Sequence, residues 1–558
     1  MPIPPPSVSS SASPISGLPV ELLIQIFVHL PRAEFYDSLH SPNAPPAPTA
    51  RRRQQPTWLA ITQVCRRWRA IAINCNAFWS FVLLTASAHC VELSLARSDP
   101  YPVSLLVDCS STQTDSYRHV VLATLRAALP RAREIHLQNL SSFVAVARMP
   151  SMPTDLESRA EALRLLDTSP APFLEAFSVI GHTVRDVVAL SDDIFQRCAP
   201  SALRSLILTY CDLRHSSPLF RAPLTSLHLA QCHLEFPLEL LGLLPHLRTL
   251  VLENTRGVNI YEARRTTRRR KNSSDKEALR LPHLQRLELT DLSTVIAFLL
   301  QAIQIPAFSS ISVTCTDCLE SDEPLDDLTL LRTITSNMSP VLSTHLDHVL
   351  AENRAFSLLE IASPASTFKK TLVLLDPASA LSDPVGERRR LLFSLVWAST
   401  THKDDIDIFS QMLSALPPAA LRQIHTLRMC DALSSSLRAA DARSRRNPFA
   451  TYHDKARDEA VRGLLTIMMR QELLPALRLV SLEDIDFKHL DVDLLARVLV
   501  HRQRTAAISG GKISLSLQNC LMNVGTIRGL RDCLGPDAVD VGYASKRLGP
   551  HMRYTSGI

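Results

Sequence analysis

Leu203-Arg204-Ser205-Leu206-Ile207-Leu208-Thr209-Tyr210-Cys211-Asp212-Leu213 and Leu224-Thr225-Ser226-Leu227-His228-Leu229-Ala230-Gln231-Cys232-His233-Leu234 repeat one pattern, L-x-x-L-x-L-x-x-C-x-L, at every fixed position. Leu247, Leu250 and Leu252 repeat its first half, with Thr255 where the cysteine would stand, and Leu284, Leu287 and Leu289 do so again. The starts at 203, 224 and 247 are 21 and 23 residues apart; the step of 37 to residue 284 contains an insertion. Successive side chains of a strand point to opposite faces, so the alternate leucines share one side. The chain must then turn and come back. The cysteine falls at the bend, where a side chain can pair with backbone groups that the turn leaves free.

This spacing is that of leucine-rich repeats, whose coils stack because none can bury its apolar side alone. Elsewhere Ile135/Leu137, Phe177/Val179, Ile311/Val313, Leu372/Leu374, Leu427/Met429, Val480/Leu482 and Leu515/Leu517 read as strand cores at irregular intervals. Residues 171–545 are therefore expected to form an irregular leucine-rich-repeat α/β solenoid with a curved parallel sheet. Residues 256–280 are an insert within it, and the acidic Glu320–Asp327 lies in a segment, 317–370, where no repeat can be placed. A surface of this kind suits protein recognition. Residues 83–170 are expected to link to it and to hold the first degenerate repeats, and 546–558 to form a loose tail.

Before the repeats the pattern changes. Residues 1–14 are rich in proline and serine and read as a disordered tail. Leu18-Pro19 then opens an amphipathic helix: proline suits the first helical position, Glu21 suits the first turn, and Leu22, Leu23, Ile26, Phe27 and Leu30 recur at helical spacing. Pro31 is expected to close it. Ser41–Gln55, with Pro42, Pro45, Pro46, Pro48 and Arg51-Arg52-Arg53, reads as a flexible insert. A second helical pattern opens near Thr57 and carries Leu59, Ile61, Val64, Cys65, Trp68, Ile71 and Ala72 mostly on one side. It breaks at Asn74–Asn76 before the anchor Phe78-Trp79.

Leu18-Pro19-Val20-Glu21-Leu22-Leu23-Ile24-Gln25-Ile26-Phe27, then Val64-Cys65-Arg66-Arg67-Trp68, then Phe78-Trp79 resemble the F-box, a small three-helix domain. The resemblance covers residues 15–82, with the insert 41–55 longer than the family's usual connection. Leu93–Ser98 and Pro102–Val107 also resemble the segment after the F-box in many mushroom-type fungal proteins. The resemblance implies docking onto a Skp-type adaptor and, through it, onto a cullin–RING ligase, with a protein substrate held by the repeats. Carried over by position, Leu18, Pro19, Leu22, Ile26 and Trp68 are the adaptor-contact candidates, while Phe27, Val64 and Ile71 are expected in the domain's own core. The fold expected overall is α+β multidomain: a three-helix F-box followed by the solenoid.

The remaining signals argue for binding rather than catalysis. Sixty basic residues against 54 acidic ones nearly balance, so neither nucleic acid nor an acidic membrane is expected as partner. Twelve scattered cysteines are no secreted disulfide framework, and neither a signal peptide nor a long apolar span is evident. An intracellular location, cytoplasm or nucleus, is the resulting expectation. Arg264-Arg265 and Arg268–Lys271 read as a solvated loop. Cys315-x-x-Cys318 is half a zinc site without a second pair, and Gly510-Gly511-Lys512 lacks the rest of a phosphate loop. No nucleophile, acid–base pair, metal set or cofactor loop is legible, so a non-catalytic ligase subunit is expected. The alternative kept beside it is an interaction scaffold with no ligase role.

Overall fold

The computed structural model describes residues 14–40, 56–84, 87–109, 115–140, 162–181, 187–197, 200–214, 216–232, 238–254, 279–306, 309–316, 327–351, 358–362, 369–375, 391–398, 416–430, 474–483, 492–508, 512–518 and 522–542, and a few single positions besides. The expected tail at 1–14 (Pro14 excepted), the insert 41–55, the basic run near 264–271 and the end from 546 lie outside the described residues. Two compact units make up the chain: Met1–Leu244 with Thr255–Gly257, and Pro245–Asn254 with Val258–Ile558.

The first unit opens with helix α1, Val20–His40. It does not stop at Pro31, as the sequence suggested, but runs through it for nine more residues. An interior proline removes one helical hydrogen bond and costs about 3 kcal/mol. Here the second half of the helix offsets that by burying Phe35 completely and by tying Tyr36 and Leu39 to strands far along the chain. Nor is the stretch after Thr57 one helix. A 3-10 turn, Thr57–Ala60, leads into α2, Ile61–Val64; Cys65 is extended (φ −157°, ψ 169°); and α3 spans Arg66–Ile73. The Cys65 sulfur accepts a hydrogen bond from the Trp68 amide and so caps α3.

The main-sheet strands of this unit are β1 (Phe81–Leu83), β2 (Val103–Asp108), β3 (Ala132–Leu140), β4 (Ala176–Gly181), β5 (Ser205–Thr209) and β6 (Ser226–Ala230). They pair in chain order, every pair parallel. Their register lines up two continuous apolar rows, Leu105–Ile135–Phe177–Leu206–Leu227 and Val107–Leu137–Val179–Leu208–Leu229, all of them buried. The opposite face carries Phe81–Ser104–Glu134 and Leu83–Leu106–His136 in the alternate register.

The two complete repeats bend in the same way. Tyr210 (φ 55°) and Gln231 (φ 52°) take the left-handed conformation immediately after β5 and β6. The next residues, Cys211 and Cys232, bury their thiols against main-chain carbonyls: Cys211 Sγ on Thr209 O (3.5 Å), Cys232 Sγ on Leu208 O (3.3 Å) and Ala230 O (3.4 Å). Burial pushes the Cys232 thiol up to about 11 and the Cys211 thiol well above its ordinary value, so both stay protonated donors. Gly181, at the end of β4, lies against this bend. A Cβ there would come within 2.8 Å of Tyr210 Cβ and 3.0 Å of Tyr210 O.

The second unit's strands are β7 (Thr249–Glu253), β8 (Arg286–Asp291), β9 (Ser310–Cys315), β10 (Leu358–Ala362), β11 (Lys369–Leu375), β12 (Leu391–Ala398), β13 (Thr426–Cys430), β14 (Leu479–Glu483), β15 (Ser514–Gln518) and β16 (Val539–Val541). Their spatial order is β7-β8-β9-β12-β11-β10-β13-β14-β15-β16. A parallel sheet throughout was expected; instead β10 and β12 each pair antiparallel with β11. Only residues 363–368 join β10 to β11, too few for the crossover that a parallel partner needs. The segment where no repeat could be placed holds a helix, Asp327–Ala351, ahead of β10. Asn254 (φ 45°) turns after β7 as Tyr210 does after β5.

Gly181→Ala forces the tightest of these contacts apart, so it should lower stability by about 1–3 kcal/mol in a denaturant titration. An unchanged midpoint would show that the bend relaxes freely.

Candidate functional site

The amino-terminal helices close on one aromatic core. Leu23 and Phe27 from α1, Trp58 and Ile61, Ala72 from α3, Cys75, Phe78 and Trp79 are all buried together. Trp58 meets Phe78 edge-on at 4.7 Å and Trp79 at 5.4 Å between ring centroids, and Phe78 meets Trp79 at 5.4 Å. The Trp79 indole N–H donates to Ala72 O (2.8 Å), and the Arg97 guanidinium lies 4.4 Å over the Trp79 ring. The Arg67 guanidinium donates to Leu18 O (2.6 Å), tying α3 to the start of α1.

Because Leu23 and Phe27 face this core, residues one position before them on the helix turn outward. Leu22 and Ile26 are 45% and 46% exposed, and Leu30 continues the stripe at 45%. Pro19 is exposed as well. Leu18 and Trp68 differ: both are half-buried and pack against the aromatic core, Trp68 with its ring 5.0 Å from that of Phe27. Of the five expected contact residues, three are thus exposed and two lie at the boundary between core and surface.

Val64 is a correction. Expected in the core, it is 59% exposed, because the break at Cys65 turns the end of α2 away from the aromatic cluster. Phe27 is buried as expected, and Ile71 is half-buried against the core. Leu30 and Val64 line a shallow groove of about 640 Å³ between α1 and α2, together with Ala33, Ala60 and Ile61. The indole nitrogen of Trp58, another groove residue, is buried without a hydrogen-bond partner among the described residues. A single helical phase over 57–73 hides Trp58, which belongs to the separate turn Thr57–Ala60. Its position just after Pro56, where a new turn starts, was the available signal.

An exposed apolar stripe thus runs into a groove on a helical module whose aromatic core is buried. Residues 15–85 match the family model described as F-box-like. The chain therefore carries an F-box-like domain whose match takes in β1, the first strand of the sheet, and ends at residue 85, one position beyond the buried Leu84. A comparison with curated proteins found no match. Among the described residues no group of three or more His, Cys, Asp or Glu could hold a metal ion, and no helix is long and apolar enough to cross a membrane.

On the far side of the F-box-like domain, the Tyr36 hydroxyl donates to Glu134 on β3, lying 3.0 Å from both carboxylate oxygens. Burial would raise the Glu134 carboxyl, but hydrogen bonds from His136 and Tyr36 and the charge of Arg133 outweigh it and hold that carboxyl below its ordinary value. Burial and the Glu134 charge push the Tyr36 phenol from 10.0 up to about 12, with Arg32 and Arg133 opposing.

Stripe and core should respond differently to substitution. Leu22→Asp and Ile26→Asp should each leave stability within about 0.5 kcal/mol, while Phe27→Ala should cost about 3–5 kcal/mol. Equal losses at all three positions in thermal unfolding would mean that the stripe is packed. The stability contributed by the neutral Tyr36 phenol should be complete below pH 10 and disappear as pH rises through about 12. An ultraviolet titration of Tyr36→Phe against the unmodified chain reads this, and no missing late-titrating phenol would refute it.

Proposed function

We propose that this protein is the substrate-recognition adaptor subunit of a Skp–cullin–F-box type ubiquitin ligase. The observation that carries the reading is the outward stripe Leu22–Ile26–Leu30 on the first helix of an F-box-like domain. A Skp-type adaptor would cover that stripe and the adjoining groove, with Leu18, Pro19 and Trp68 at its margin, and would bring a cullin–RING assembly with it.

The strand stack is a leucine-rich-repeat-like solenoid in this reading, and it holds the protein target. Supporting this are the two leucine rows in register, the left-handed residue after β5, β6 and β7, and the buried thiol just beyond the first two of these. Catalysis by this chain is proximity: binding raises the effective concentration of a target lysine near the charged ubiquitin carrier. The covalent chemistry belongs to other subunits, and the chain needs no cofactor.

The experiment is co-purification of the adaptor with the full chain and with the Leu22→Asp/Ile26→Asp variant. Covering each side chain is worth about 1.5–3 kcal/mol, so the variant should lose adaptor affinity by a hundredfold or more, roughly. Undiminished co-purification removes the docking surface. Adaptor binding without ubiquitin transfer in a reconstituted assay would point instead to a scaffold with no ligase role.

A further inference from the structure

The docking stripe and the sheet are joined by more than the chain running between them. Beyond Pro31, α1 continues over the face of β1–β3 that the leucine rows leave open. It meets all three levels of that face. At the first, the Tyr36 hydroxyl donates to the Glu134 carboxylate at 3.0 Å, and the Phe35 ring lies 5.6 Å from that of Phe81. At the second, Phe35 is fully buried against Leu83 and Leu106, its ring 5.7 Å from His136. At the third, the Gln138 amide donates to the Leu39 carbonyl at 3.1 Å.

We infer that Phe35, Tyr36 and Leu39 form a clamp that holds the docking stripe and strands β1–β3 as one rigid body.

Three properties support a clamp rather than simple adhesion. The contacts span just over one turn of the helix, Phe35 to Leu39, and three successive levels of one sheet, so neither sliding nor rocking preserves them all. The polar contacts are directional, and Glu134 is 9% exposed, so releasing Tyr36 would strand a buried carboxylate with fewer partners. Phe35 adds edge-on contacts with Tyr36 at 5.5 Å and with His136, which fix its ring orientation. The same α1 also closes back on the amino-terminal module, since Glu34 accepts a hydrogen bond from the Thr57 amide at 2.9 Å. One helix therefore presents the stripe, braces the module and grips the sheet.

The test measures orientation directly. Spin labels on unnatural ketone side chains at the exposed Gln25 on α1 and Ala127, in the helix Asp115–Ala128 between β2 and β3, avoid the native cysteines. Double electron–electron resonance on the full chain should give one narrow distance distribution. In Tyr36→Phe/Gln138→Ala it should broaden about twofold or more, as a released hinge does. The single Tyr36→Phe variant, which removes one hydroxyl, carries the test should the double variant not fold. A distribution in the unmodified chain as broad as in the variant overturns the clamp, and so does a variant as narrow as the unmodified chain. Leu22 and Ile26 are untouched, so either failure leaves the ligase reading standing.

Discussion

A strand sends successive side chains to opposite sides, and this protein rests on that alternation. With parallel strands in register, Leu206 stands opposite Leu227 and Leu208 opposite Leu229, and the same two rows extend back to Leu105 and Val107. One side of the sheet becomes a continuous apolar layer that no single strand could bury alone. The other side is left to whatever the intervening residues carry. A slip of one residue at any strand would exchange the two sides, so the buried rows also determine which residues are presented.

The first strands show what that other side is for. Glu134, His136 and Gln138 are polar residues on a fully paired strand, yet all three are buried, because the second half of α1 covers them. Their polarity matches the cover: a phenol hydroxyl and a main-chain carbonyl meet the carboxylate and the amide, while Phe35 fills the apolar space at Leu83 and Leu106. The amino-terminal helices are treated differently. Their aromatic core is sealed, while an apolar stripe on the same helix stays in solvent. Burial and exposure alternate along α1 as its sequence dictates: Leu23 and Phe27 inward, Leu22 and Ile26 outward, Phe35 inward again on a different surface.

Much of this could be read from the sequence, wherever one short pattern sufficed. The repeats at 203 and 224 place every described fixed position in the core, and all seven of the fainter two-residue signals fall inside strands. Two of the five expected contact residues, Leu22 and Ile26, stand out as the most exposed large side chains among them. What escaped reading depends on distant partners. Pro31 ends a helix by local rules, and the helix continues because Phe35 is buried against β1 and β2 and Tyr36 and Leu39 are bonded to β3. Val64 looks like a core residue until Cys65 is seen to break the phase. The antiparallel β11 results from a short connection rather than from any residue in the strand. Tyr210 and Gln231 carry no hint of a left-handed bend, because the stacked strands impose it.

The continuity of α1 through Pro31 makes angular phase a heritable quantity of this chain. Leu22 and Tyr36 are fourteen positions apart, a rod of roughly 21 Å at the usual helical rise. Each residue turns the helix by about 100°, so the azimuth between the solvent stripe and the sheet is written in a residue count. A one-residue deletion between Ile26 and Phe35 would swing one surface about a quarter-turn against the other. A substitution there leaves that azimuth as it is; a change in length does not.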